Sequence, residues 1–119
     1  MSAHRIKSYS AETGIVYQYS FQASRQARRG LLARGTEYLF EVSRDRKSAF
    51  QLPVFVRDDS LRAWEQEHGR ALSNAERYAA AKMRLFRAFD TMEEPERAGG
   101  QVVVDAGNIG ELLASLDIN

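Results

Sequence analysis

The chain has 119 residues, 44% of them hydrophobic and 28% charged, which fits one globular domain with a modest core and excludes a disordered or fibrous chain. It has no cysteine, which excludes disulfide staples, thiol catalysis and cysteine-based zinc sites, and its net charge of +1 argues against a dedicated polycation. No apolar stretch approaches a membrane span and residues 1–10 lack the apolar run of a secretory signal, so the expected location is cytoplasmic, with no membrane partner.

Residues 1–12 read as a flexible leading segment. From residue 15 to 22 the chain alternates, with Ile15, Tyr17, Tyr19 and Phe21 on one side and Gln18, Ser20 and Gln22 on the other, the period of a half-buried strand. Residues 37–43 repeat the pattern with Tyr38, Phe40 and Val42 inward and Leu39 as the exception, and a third run groups Phe50, Leu52, Val54 and Val56. A short polar turn through Asp45, Arg46 and Lys47 joins these two runs as a hairpin. Pro53 lacks an amide donor, so the third strand is expected at an edge, or with this nitrogen turned away from the ladder.

Helical signals follow. Asp58 or Asp59 caps a short helix through Leu61 and Trp64, which Gly69 ends. Ser73 and Glu76 form a capping box that opens a long helix to about Met92, with Tyr78, Leu85, Phe86 and Phe89 on its apolar face. Residues 93–100 read as a flexible acidic loop, 101–104 as a short branched strand, and Asn108 with Glu111 as the cap of a final helix through Leu112, Leu113 and Leu116. The order β-β-β-α-α-β-α predicts a single α+β domain, an antiparallel meander of three strands plus a short later strand, covered on one face by helices.

Charge is unevenly distributed. From Arg25 to Lys47 there are seven basic and three acidic residues, and from Asp90 onward one basic and seven acidic. Arg25, Arg28, Arg29 and Arg34 surround Leu31 and Leu32 in what reads as a loop after the aromatic strand, with Arg46 and Lys47 at a neighbouring turn. Arginine beside apolar residues is the composition of a protein interface. Cations beside aromatic faces also suit single-stranded nucleic acid, although Tyr17, Tyr19 and Phe21 share the core face with Ile15. A short helix over residues 23–32 would instead tuck the leucines into the sheet's open end. A helix-turn-helix with Arg77, Arg84 and Arg87 on its second helix is a further nucleic-acid arrangement.

Lys82 falls near the centre of the long helix's apolar stripe. A lysine forced into apolar surroundings has a lowered pKa and can act as base or Schiff-base nucleophile. Alternatively its stem lies along the apolar surface with the ammonium reaching water, or it pairs with Asp90 or Glu93. His4 and His68 are the only histidines and no cysteine joins them, so no metal is expected; His68 suits a helix C-terminus. No catalytic or phosphate-loop motif appears. These residues predict a non-enzymatic binding module without a cofactor, acting on a protein partner or a second copy. The alternative is nucleic-acid contact through residues 25–34. The contact set is Arg25, Arg28, Arg29, Leu31, Leu32, Arg34, Arg46 and Lys47, with Lys82 as a separate buried functional lysine.

Overall fold

The computed structural model describes residues 5–119; Met1–His4, and with them His4 as a candidate, lie outside the described residues. Strands β1 (Lys7–Ser10), β2 (Val16–Arg29), β3 (Ala33–Ser43) and β4 (Phe50–Arg57) form an antiparallel meander, and β5 (Val103–Val104) joins β4 in parallel, giving the order β1-β2-β3-β4-β5. Helices α1 (Asp58–His68), α2 (Asn74–Thr91) and α3 (Ile109–Ala114) complete an α+β fold in which helices pack on a curled sheet. No helix among the described residues is long and apolar enough to cross a membrane.

Period-two alternation turns Tyr17, Tyr19, Phe40, Val42, Leu52, Val54 and Val56 toward the helices, where they meet Leu85, Ala88 and Phe89 of α2 and Leu112 and Leu113 of α3. Tyr17 stacks on Phe89 at 4.2 Å between ring centroids, and Tyr9 of β1 on Phe86 at 4.1 Å. The meander therefore has one strand more than the alternation suggested. β1 carries no alternating apolar pattern because Tyr9 is its only large core-facing residue, and it forms within the segment expected to be a flexible lead. Asp90 secures that segment, accepting from the Tyr9 hydroxyl at 2.7 Å and from the Glu12 amide at 2.9 Å.

The helix starts divide into one that follows the expected cap and two that do not. Ser73 and Glu76 form the reciprocal capping box. At α1 the N-cap is Arg57, with Asp58 and Asp59 already in the first turn; Asp59 grips the Arg57 guanidinium instead, at 2.7 Å. At α3, Asn108 makes no side-chain cap. Its amide oxygen accepts from the Asp105 amide and its nitrogen donates to the Val103 carbonyl, bracing the turn out of β5. Pro53 obeys its constraint. The Phe55 amide donates outward to Val102, so the Pro53 nitrogen, two residues earlier, also points away from β3. The acidic 93–100 segment contains a 3-10 turn over Pro95–Arg97 and buries Pro95 and Ala98 as it runs beside β4.

Candidate functional site

Residues 25–34, expected as a loop, are paired strand except for the turn at 30–32, and the alternative helix over 23–32 does not form. β2 continues through Arg29 and pairs with β3 as far as Arg29↔Ala33, leaving Gly30, Leu31 and Leu32 as the hairpin turn. Gly30 supplies the left-handed residue such a turn needs, with φ 65°. β4 pairs with β3 only from Gly35 onward, so the last rungs of the β2–β3 hairpin extend beyond the sheet as a two-stranded arm. Leu31 and Leu32 stand at its tip, each 93% exposed. They do not tuck into the sheet.

A bulge at Gln22, between Phe21 and Ala23, reverses the parity of β2. Beyond it Ser24, Gln26 and Arg28 lie on the helix-facing side, while Arg25, Ala27 and Arg29 lie on the back. The back-face arginines are engaged within the chain. Glu37, nearly buried, accepts from Arg25 at 2.6 Å on one oxygen and from Arg29 at 3.1 Å on the other. Burial pushes the Glu37 pKa up, but the two guanidiniums outweigh it and hold the carboxyl below the usual range. Arg29 also donates to the Gly100 carbonyl at 2.8 Å and lies over the Phe55 ring, 4.4 Å from its centroid. Phe55, on the face of β4 opposite Leu52, Val54 and Val56, is thereby 1% exposed. Gly35 permits this arrangement. A Cβ there would lie 2.2 Å from the Val56 carbonyl oxygen and 2.9 Å from the Phe55 ring.

Arg28 and Arg34 differ from Arg25 and Arg29. They sit directly opposite each other across the hairpin, both exposed, and neither makes an ion pair or side-chain hydrogen bond to the described residues. Like charges facing each other on a ribbon repel, a cost that an anionic partner would relieve. Beneath the arm, between its helix-facing side and the start of α2, lies an open cleft of about 380 Å³ lined by Phe21, Tyr38 and Tyr78 with Ser24, Gln26 and Thr36.

Arg46 and Lys47 do not join this group. The β3–β4 turn that carries them is at the opposite end of β3, roughly 30 Å along the strand from the arm's tip. They became separated because the arginine span is itself paired strand, so consecutive turns fall at opposite ends of the sheet. Asp45 organises that turn, accepting from the Lys47 and Ser48 amides at 2.9 and 3.0 Å; these bonds, Ser48 first, lower its carboxyl pKa.

Lys82 is half-buried. Its ammonium lies over the ring faces of Tyr19 and Phe86, at 5.9 and 5.8 Å from the centroids. Desolvation first, and the neighbouring Lys7 second, lower its pKa. Asp90, expected as a partner, is bonded to β1 instead. The α2 arginines proposed for a groove are also engaged internally: Arg77 with Glu65, Arg84 with the Val103 carbonyl and Arg87 with Glu111. His68 stacks on Trp64, and its Nδ1 is 2.9 Å from the Trp64 carbonyl. No three His, Asp or Glu side chains converge as a metal cage among the described residues.

Comparison with protein-family models, with curated proteins and with solved structures finds no match to this chain.

Proposed function

We propose that the chain is a non-enzymatic binding module that engages a protein partner with its β2–β3 arm. The observation that carries this reading is the pair of adjacent leucines, each 93% exposed, at the turn of a fully paired hairpin. A turn at this position needs only small or polar residues, and two leucines there leave apolar surface that a partner would bury. Arg28 and Arg34 flank the tip and favour a partner with acidic residues around an apolar pocket. A symmetric tip-to-tip dimer of this chain would bring four such arginines together. Self-association through the tip therefore ranks behind an acidic partner.

The unpaired Arg28–Arg34 couple also supports a second reading, phosphate contact by the arm. Tyr17, Tyr19 and Phe21 face the helices, which removes them as a stacking platform and leaves only backbone contact without sequence readout. The test is quantitative capture from host-cell extract by the wild-type chain and by a variant carrying Leu31→Ser and Leu32→Ser, with and without nuclease. The expected result is at least one protein retained by wild type, lost from the variant and indifferent to nuclease. Identical protein sets on both baits would remove the tip as a contact, and nuclease-sensitive capture would establish the second reading.

A further inference from the structure

We infer that the outer edge of β2, from Ala23 to Arg29, takes an extended acidic segment of the partner as an added β-strand. β2 has 14 residues, but β1 pairs with only four of them, Val16 to Tyr19. Past the bulge, no described residue pairs with the outer side of β2, and Ala23 to Arg29 are all exposed or half-buried. This leaves roughly 23 Å of strand edge with alternate backbone donors and acceptors directed outward. An edge of that length is a template for strand addition, in which main-chain hydrogen bonds give affinity and alternate side chains give specificity.

Charge selects the occupant. The distal half of the β2–β3 hairpin carries Arg25, Arg28, Arg29 and Arg34 against Glu37 alone, a net positive charge that disfavours a second copy approaching edge to edge. An acidic strand meets attraction, and its carboxylates on the helix-facing side come within reach of the unpaired Arg28–Arg34 couple. Arg25 and Arg29 are already held by Glu37, so that couple supplies the readout. Nucleic acid would satisfy the arginines but leave the strand's outward amides and carbonyls without a matching ladder.

The inference rests on the arm being the binding element, and the experiment separates the two. A fluorescent ten-residue peptide alternating Glu with Val is titrated into the full chain and followed by anisotropy. Two further peptides are N-methylated on the odd or the even amides, and a fourth carries Lys for Glu. The unmodified peptide is expected to bind, one methylated isomer to lose at least about tenfold in affinity and the other to retain it, because only alternate amides face β2. Arg28→Gln with Arg34→Gln should also weaken binding about tenfold, and the Lys peptide should not bind.

Absence of binding would overturn the inference. Equal binding by both methylated isomers would reduce it to charge attraction. The Leu31→Ser, Leu32→Ser variant should bind the peptide within twofold of wild type. If it does so but captures the same cellular proteins as wild type, the tip reading fails and the edge stands; the reverse pattern retires the edge alone.

Discussion

Arg29 and Arg25 both bond Glu37, yet their removal should differ in cost by several-fold. Arg29→Ala deletes a charge-assisted hydrogen bond to a nearly buried carboxylate, a bond to the Gly100 carbonyl, and the cover over Phe55. The first contributes about 1.5–3 kcal/mol and the second about 1. Re-exposing some 40 Å² of the Phe55 ring adds about 1 kcal/mol. These terms overlap, and the Arg29 side chain is 27% exposed, so the expected loss is about 2–4 kcal/mol. The Arg25 side chain is 64% exposed and its side-chain hydrogen bonds among the described residues go only to Glu37, so Arg25→Ala should cost about 0.5–1 kcal/mol. Urea unfolding followed by circular dichroism and by the single tryptophan, Trp64, measures both. In a Glu37→Gln background the Arg29→Ala loss should shrink by about 1–2 kcal/mol, the part that belongs to the ion pair. An Arg29→Ala loss no larger than that of Arg25→Ala would refute the assignment of Arg29 as the strap across the back of the sheet.

Other substitutions test separate parts of the structure. The Tyr17 hydroxyl is buried without a hydrogen-bond partner, so Tyr17→Phe should raise stability by about 1 kcal/mol; a lowered melting temperature would mean the hydroxyl is satisfied. The Arg70 guanidinium first, and the Ser73 amide second, hold the Glu76 pKa down to about 2 from 4.5. Its contribution is therefore full above 4.5 and lost as pH falls toward 2, and Glu76→Gln should flatten the fall of stability in that window. An unchanged acid limb would count against the Arg70–Glu76 bond. Lys82→Met should preserve or raise thermal stability, because the ammonium is desolvated beside Lys7 and pairs with no carboxylate among the described residues, while methionine keeps apolar contact with the rings; a drop of more than about 1 kcal/mol would show that the charge stabilises the fold.

The helix-covered half of the fold was legible because burial on one side imposes a period. Tyr17, Tyr19 and Phe21, Tyr38 to Val42, and the α2 stripe all carried it, and Ser73 with Glu76 announced the α2 start through purely local chemistry. The arm was not legible because it leaves the helices behind. With polar residues on both faces from Ser24 to Arg29, strand pairing has no apolar contrast to reveal it, and the Gln22 bulge breaks the alternation where an extrapolation would begin. Gly30, midway between Arg28 and Leu32, was the one local sign of a turn. Long-range packing hid the rest. Phe55 is buried by an arginine 26 positions earlier and by the segment around Gly100, and nothing near it in the chain records either contact. Composition alone marks the leucines and arginines of the arm as a contact set. Their division into Arg25 and Arg29, held by Glu37, and Arg28 and Arg34, unpaired, required the register.

Photo-cross-linking from the tip is the most direct test of the arm as the contact element. Benzoylphenylalanine is placed at position 31 in one sample and, as a control on another exposed surface, at Gln66 of α1 in another. Irradiation in host cells should yield a discrete, protease-sensitive adduct from position 31 and none from position 66. Adducts of equal yield from both positions, or a nucleic-acid adduct from position 31, would contradict the proposed function.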